Sequence, residues 1–465
     1  MEALFTSLAG GDALRKRVLE TIGEAASLSG VTGKVDLHVM TFAFTDEEIA
    51  GALAQAAARH PAMVIRILAD WSQRNQVRGQ QVGRLAALHL PNLRVRYKHE
   101  QPYVWDAAAE KLHWSYRASR GLLHHKTLAV IVNGRPWRLI CGSFNWTGAA
   151  SRSYEHVLII DDEAADSTEL MRRMELEFEA LWCDGRATLS PQEAHLHYRA
   201  IIDEYRRNPA ISPAEVVGFA QGEGEQLNVL ECDGGTPATE GGSRSRPADT
   251  PHIEIAFHSR LPTEPRGARG HAVSNRTRRF LLYTPSTSRK PAPLTMTNLA
   301  LDTIFRAAPG HTLKMAMYGL STRVPEYGAL LEAARRGVRI FLLLDGTVGV
   351  TVSARFAAVS RAERLPVEVR VAARMMHQKY IVSPECATVL TGTANMSRDA
   401  SLRHLEHRIR VMGDIRLAAQ FCADFDTIWA RLSRRVWGES ITQGGEKGEV
   451  ESETCDPPST NNGAA

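Results

Sequence analysis

Cysteine is sparse in this chain. Six residues (Cys141, Cys183, Cys232, Cys386, Cys422 and Cys455) are scattered along 465 positions, and no two form a CxxC pair. That spacing argues against a structural zinc site, and reduced thiols in a cytoplasmic setting are the expectation. Long apolar runs are missing too, so no membrane span is predicted. The N-terminal MEALFTSLAGGDALRKRV lacks a basic region leading into an apolar one, and no secretory signal is read there. Excess charge of one sign is also lacking. The formal net charge of +4 is too small to imply a polyanionic partner by itself. What is present is ordinary for a globular protein: 44% hydrophobic and 23% charged residues, in a chain long enough for two domains.

One stretch organises the rest. Leu122–Asn145 reads LLHHKTLAVIVNGRPWRLICGSFN. An apolar, β-branched run carries His124 and Lys126, turns at Asn133-Gly134, and returns through Leu139-Ile140-Cys141 to Gly142-Ser143-Phe144-Asn145. This is a hairpin pattern. Side chains alternate along a strand, so His124 and Lys126 point the same way and the adjacent His125 points the other way. If the strand continues that far, Ser143 and Asn145 share a face as well. An imidazole, an ammonium and two neutral hydrogen-bonding groups converging on one spot suit a phosphate diester. The pattern then recurs as Met376-His377-Gln378-Lys379-Tyr380-Ile381-Val382, followed by Gly392-Thr393-Ala394-Asn395.

The recurrence extends well beyond the motif. In the first half, Lys34–Ala43 alternates as a strand, Thr45-Asp46-Glu47-Glu48 reads as a capping box opening a helix to about Arg59, and Met63–Asp70 is a buried strand. In the second half, Thr312–Leu320, Pro325–Arg336 and Val338–Asp345 repeat that strand-helix-strand order. His377 follows His124 by 253 residues, Asn395 follows Asn145 by 250 and Glu406 follows Glu155 by 251. Trp182 and Trp429 each close a helix with a Phe four residues earlier (Phe178, Phe425). Two copies of one α/β domain are expected, each a mainly parallel or mixed sheet covered by helices, related by a pseudo-twofold axis. The expected divisions are 1–205 and 252–437 for the domains, 206–251 for a flexible linker, and 438–465 for a disordered tail.

The offset between Asp70 and Asp345 is 275, so the first copy carries about twenty additional residues before its histidine. Comparing Leu93–Tyr97 with Val367–Val371 places them at 98–121. This insert holds Trp105, Trp114, Tyr116 and Arg117, a composition suited to stacking bases and following a phosphate backbone. A locally packed loop is the plainer reading. Asp70 and Asp345 end strands where ligands gather in open α/β sheets, but acids are also common turn residues there. Arg266–Arg279 and the group Arg403, His404, His407 and Arg408 read first as solvated, charged surface, with phosphate tracking as the functional alternative for the former and a place bordering the site for the latter.

The paired His-x-Lys and Gly-[Ser/Thr]-x-Asn stretches resemble the phospholipase D superfamily, whose members carry HxK, an Asp five residues after the Lys, and GSxN in each domain. The first copy, LLHHKTLAVIV…GSFNWTGAASRSYEH, is most similar to the endonuclease and cardiolipin-hydrolase branch. The resemblance implies a metal-independent phosphodiesterase, a hydrolase without a cofactor that works through a phosphohistidine. His124 would be the nucleophile and His377 the acid. Lys126, Lys379, Asn145 and Asn395 would hold phosphoryl oxygens. Glu155 and Glu406 would orient histidines, with Ser143 and Thr393 in support. The chain departs from the family at the motif Asp, replaced by Ile131 and Pro384, and in reading GTAN for GSxN. A nucleic-acid phosphodiester is the first expected substrate. Membrane phospholipid, as for a phospholipase D or phosphatidyltransferase, is the alternative, and a catalytically degenerate nucleic-acid-binding module is the non-enzyme reading.

Overall fold

The computed structural model describes residues 1–74, 80–98, 103–106, 111–114, 122–183, 188–208, 251–258, 295–402 and 404–436, with the backbone alone at 103–106, 111–114 and 402. Most of the expected linker, the stretch Arg266–Arg279, Arg403 and the expected tail lie outside the described residues.

Two eight-stranded sheets form the frame. The strands of the first half are β1 (Glu2–Phe5), β2 (Val35–Thr41), β3 (Met63–Ala69), β4 (Leu93–Lys98), β5 (Tyr103–Asp106), β6 (Lys111–Trp114), β7 (Lys126–Val132), β8 (Arg135–Gly142), β9 (His156–Asp161) and β10 (Thr188–Leu189). Those of the second are β11 (His252–His258), β12 (Thr312–Met317), β13 (Arg339–Leu344), β14 (Val367–Ala372), β15 (Lys379–Ser383), β16 (Thr388–Gly392), β17 (Glu406–Met412) and β18 (Ser433–Arg435). The orders are β1-β9-β8-β7-β2-β3-β4-β10 and β11-β17-β16-β15-β12-β13-β14-β18, so each strand has its counterpart in the same place.

Each sheet is mixed. Only β2-β3-β4 and β12-β13-β14 run parallel, and every other pairing is antiparallel. The parallel part follows from the strand-helix-strand units, because a parallel neighbour needs a crossover. The helix Glu47–Arg59 makes the first crossover. Its cap is Asp46, whose Oδ1 accepts the Ile49 amide at 3.0 Å, rather than Thr45. A carboxylate one residue on sits closer to the first free amides, so the expected box shifts by one. Residues 1–34, whose sequence reads as a helix and a Gly-rich turn, do hold the helix Ala13–Thr32, but β1 precedes it and pairs with β9.

Three apolar clusters hold the molecule. Two lie under the outer helices of each half, one around Leu37, Leu53, Ile65 and Val95, the other around Leu299, Leu313, Leu330 and Ile340. The third joins the halves. It combines Met40, Leu123, Leu158 and Phe178 with Met376, Tyr380, Leu405 and Phe421. Ile131 belongs to this shared core, which explains why an aliphatic side chain fits at a family acid position. The repeated Phe and Trp pairs stack at corresponding sites, Phe178–Trp182 at 5.5 Å and Phe425–Trp429 at 5.2 Å.

Candidate active site

The two motifs meet at the junction of the halves. The segment ahead of β7 crosses to the other half: Leu123 bridges Leu405, and the His124 amide donates to the Leu405 carbonyl at 3.0 Å. The second half mirrors this, with Tyr154 bridging Met376 and the His377 amide donating to the Tyr154 carbonyl at 3.0 Å. The imidazole rings of His124 and His377 consequently face each other, with centroids 6.4 Å apart and planes near perpendicular. Both residues are buried, at 4% and 6% exposed.

Each histidine is held by the carboxylate of the opposite half. Glu155 lies 2.8 Å from His377 Nδ1, and Glu406 contacts His124 Nδ1. Ser143 Oγ donates to Glu155 at 2.5 Å and also accepts the His156 amide at 3.0 Å. Thr393 Oγ1 accepts the His407 amide at 3.2 Å, the matching backbone contact. A carboxylate at Nδ1 keeps the proton on that nitrogen and leaves the Nε2 lone pair as the reactive one.

The lysines mirror one another as well. Lys126 Nζ donates to the His124 carbonyl at 2.7 Å and Lys379 Nζ to the His377 carbonyl at 2.6 Å. Each ammonium sits 5.2 Å from the centre of an aromatic ring, Phe42 for Lys126 and Tyr318 for Lys379. The same rings pack edgewise on the histidines, at 5.0 Å and 5.3 Å. Asn395 Oδ1 accepts the Gly319 amide at 3.3 Å. Asn145 is half-buried. The strands end before Ser143 and Thr393, at glycines with φ of +155° and +143°. A Cβ at Gly142 would stand 2.4 Å from the His156 carbonyl, and one at Gly392 would stand 2.3 Å from that of His407. Glycine is thus required where each chain swings toward the site.

Burial, then Lys126, Lys379, His404 and His377, hold His124 well below the usual histidine value. Burial also lowers His377, with Glu155 pulling in the opposite sense and Lys379 reinforcing the drop. The two imidazoles are therefore electrostatically unequal.

The structure gathers His124, Lys126, Ser143, Asn145, Glu155, His377, Lys379, Thr393, Asn395 and Glu406 at this junction. His125 turns away, as the alternation required, and stacks on His407 at 5.2 Å. His404, His407 and Arg408 are buried rather than surface groups. They lie on or just before β17, where His404 and His407 meet Leu122 and His125 of the other half, while Arg408 pairs with Glu326 of its own half. His404 borders the site, its ring 6.0 Å from His124. Trp105 and Trp114 fall on the β5–β6 hairpin, whose side chains lie outside the described residues, as do Tyr116 and Arg117. Phe42 and Tyr318 were missed by motif reading. They are 276 residues apart, within one of the Asp70–Asp345 spacing of 275 rather than near the motif spacing, and that similar offset is the signal that could have found them.

The family model described as cardiolipin synthase, PLD-like domain, matches residues 32–182 and 301–429, more than half of the chain. The chain belongs to the phospholipase D-like family. Membership brings phosphodiesterase-type chemistry, hydrolase or transferase, as the general reaction class. Among solved structures, the phospholipase D-like chain is similar to phosphatidylserine synthase from Haemophilus influenzae Rd KW20. The two are 12% identical with a TM-score of 0.56, covering 93% of this chain and 87% of that one, and they share a fold. It also overlaps Nuc from Salmonella typhimurium, a phospholipase D family member, at 18% identity and a TM-score of 0.29, covering 40% of this chain and 99% of that one. Yeast tyrosyl-DNA phosphodiesterase overlaps at 11% identity and a TM-score of 0.36, covering 82% and 85%. No curated protein sequence matches significantly. Among the described residues, no helix is long and apolar enough to cross a membrane.

Proposed function

We propose that the protein is a metal-independent phosphodiesterase that forms a phosphohistidine on His124 and acts on nucleic-acid phosphodiesters. The observation that carries the reaction is the pair of facing imidazoles, 6.4 Å apart, each with a carboxylate on Nδ1. In the first step His124 Nε2 forms a bond to phosphorus while the ester P–O bond breaks. The departing oxygen takes a proton from His377 Nε2. In the second step His377 removes a proton from water, the new oxygen bonds to phosphorus, and the P–N bond breaks. Lys126, Lys379, Asn145 and Asn395 bind the non-bridging oxygens and offset charge in both transition states. Burial and the neighbouring cations keep His124 neutral and nucleophilic at neutral pH, and Glu155 opposes the lowering of His377 that burial causes. The preference for nucleic acid rests on the composition of the 98–121 insert, which precedes the catalytic segment.

A second reading, phospholipid cleavage or transfer, is favoured by one specific observation. Met375, Val348 and Val350 are 44%, 40% and 44% exposed. The first lies two residues before His377, and the Val348 amide shares the Asp345 carboxylate with the Met376 amide. An apolar rim beside a site suits an acyl surface.

The test is incubation with labelled single- and double-stranded DNA, RNA, and phosphatidylcholine or cardiolipin vesicles, each with and without chelator. Chelator-resistant cleavage of nucleic acid is expected, and His124→Asn and His377→Asn should each lower it by about 10³-fold. Cleavage of lipid alone replaces the substrate assignment. Activity lost to chelator, or unchanged in both variants, overturns the mechanism.

A further inference from the structure

The motif acid of the family is replaced here, yet the backbone leading to each histidine is clamped by an acid from elsewhere. Asp345 ends the run after β13 and is 1% exposed; Asp70 does the same after β3 and is 3% exposed. Asp345 Oδ2 accepts the Met376 amide at 2.9 Å, and Asp70 Oδ2 accepts the Leu123 amide at 2.9 Å. Both amides belong to the residue just before a histidine of the site. The next amide in each chain, that of the histidine itself, is tied to the opposite half at 3.0 Å. The histidine Cα is therefore fixed from both sides, by its own half ahead and by the other half at its own amide.

The two oxygens of Asp345 divide the work. Oδ1 takes the turn, accepting the Thr347 amide at 2.8 Å, Thr347 Oγ1 at 2.5 Å and the Val348 amide at 3.0 Å. Oδ2 takes Met376 alone among the contacts described. Asp70 repeats the division, with Oδ1 on the Ser72 amide at 3.0 Å. A turn needs only the first oxygen. The second, in both copies, is spent on the catalytic segment. Hydrogen bonds from amides to an ionised acceptor are short and strong, so this contact resists displacement.

We infer that Asp345 and Asp70 are positioning residues that set His377 and His124 by clamping the amide ahead of each; this inference rests on the catalytic reading above. The His377 clamp acts on proton delivery. When it loosens, the loss falls on leaving groups that need a proton.

Asp345→Asn separates the two roles. The variant amide oxygen remains with the three turn donors, and its NH2 group meets the Met376 amide donor to donor. The turn is kept and the clamp is lost. The probes are bis(p-nitrophenyl) phosphate, whose leaving group departs without a proton, and diphenyl phosphate, whose leaving phenolate is more basic. Asp345→Asn is expected to lower kcat on diphenyl phosphate about tenfold more than on bis(p-nitrophenyl) phosphate, with KM changed less than about twofold. His377→Asn should show the same leaving-group dependence more strongly. Thr347→Val removes one turn contact and leaves Met376 clamped, so it should show none. Equal losses on both esters in Asp345→Asn, or no loss, overturn the positioning role where His377→Asn keeps its signature. A leaving-group-dependent loss in Thr347→Val also overturns it, even where Asp345→Asn folds poorly. If His377→Asn affects neither ester, the catalytic reading itself falls, and this inference with it.

Discussion

His124 and His377 occupy mirrored places but unlike fields. Burial is the first cause that lowers His124, and two lysines and two histidines around it add to that effect. His377 is lowered by the same burial and by Lys379 and Lys126, but Glu155 opposes them. A base must be neutral to attack and an acid must be protonated to give up a proton, so the two directions set the pH profile. Activity falls as pH drops through the value of His124, which is far below the ordinary 6.5. It falls as pH rises through that of His377, which also lies below 6.5. The expected kcat/KM profile is a bell centred on the acid side of neutrality, measured on a small phosphodiester across pH 4 to 8. Glu155→Gln removes the group that raises His377, so the alkaline limb should move to lower pH, with a loss near neutrality on the order of 10²-fold. A limb that stays in place would show that Glu155 does not tune this proton. The His, Lys, Asn and Glu set was legible in the sequence because each member recurs at nearly one offset. The position of His404 just after the second Asn hinted that it borders the site, but its burial was not legible, because Leu122 and His124 of the other half cover it and nothing local encodes that contact.

Strands with an apolar period were legible to within a residue or two. β2, β3, β12 and β13 carry buried alternation or continuous β-branched runs, and their ends are set by polar residues. The short edge strands were not. β1, β10 and β18 have four, two and three residues, too few for a period, and exist because a long neighbour offers unpaired backbone groups. The β5–β6 hairpin has no counterpart among the described residues of the second half. Its place in the chain, between β4 and the segment that carries His124, makes it the element to test for substrate choice under the proposed function. Replacing residues 99–120 with a short turn should leave turnover of bis(p-nitrophenyl) phosphate within about threefold. Cleavage of single-stranded nucleic acid should fall about tenfold for each base that loses a stacking partner. Equal losses on both substrates would assign the hairpin to folding instead.

Six buried histidines, His38, His124, His125, His156, His377 and His407, are held below the ordinary value, three of them at about 3. Burial is the first cause in each. The unfolded chain takes up protons at these sites below pH 6.5, and the folded chain does not. Stability is therefore full above 6.5 and is lost as pH falls toward 3. Asp424, raised to about 6 by burial, and Glu175, also raised by burial, work in the opposite sense, but they are two groups against six. The melting midpoint should drop by several degrees between pH 7.5 and pH 5 in a calorimetric scan, and a flat midpoint would contradict this. Tandem domains and a shared site were legible from the repeat. Which carboxylate serves which histidine was not, because the partners are 222 and 282 positions apart and only the closed junction pairs them. That exchange makes catalysis a proofreader of assembly. A half chain on its own presents a histidine with no carboxylate behind it and a carboxylate with nothing to orient. Under the proposed mechanism, a truncated or misassembled molecule is expected to be chemically silent toward a phosphodiester, because each histidine lacks its carboxylate until the halves have joined.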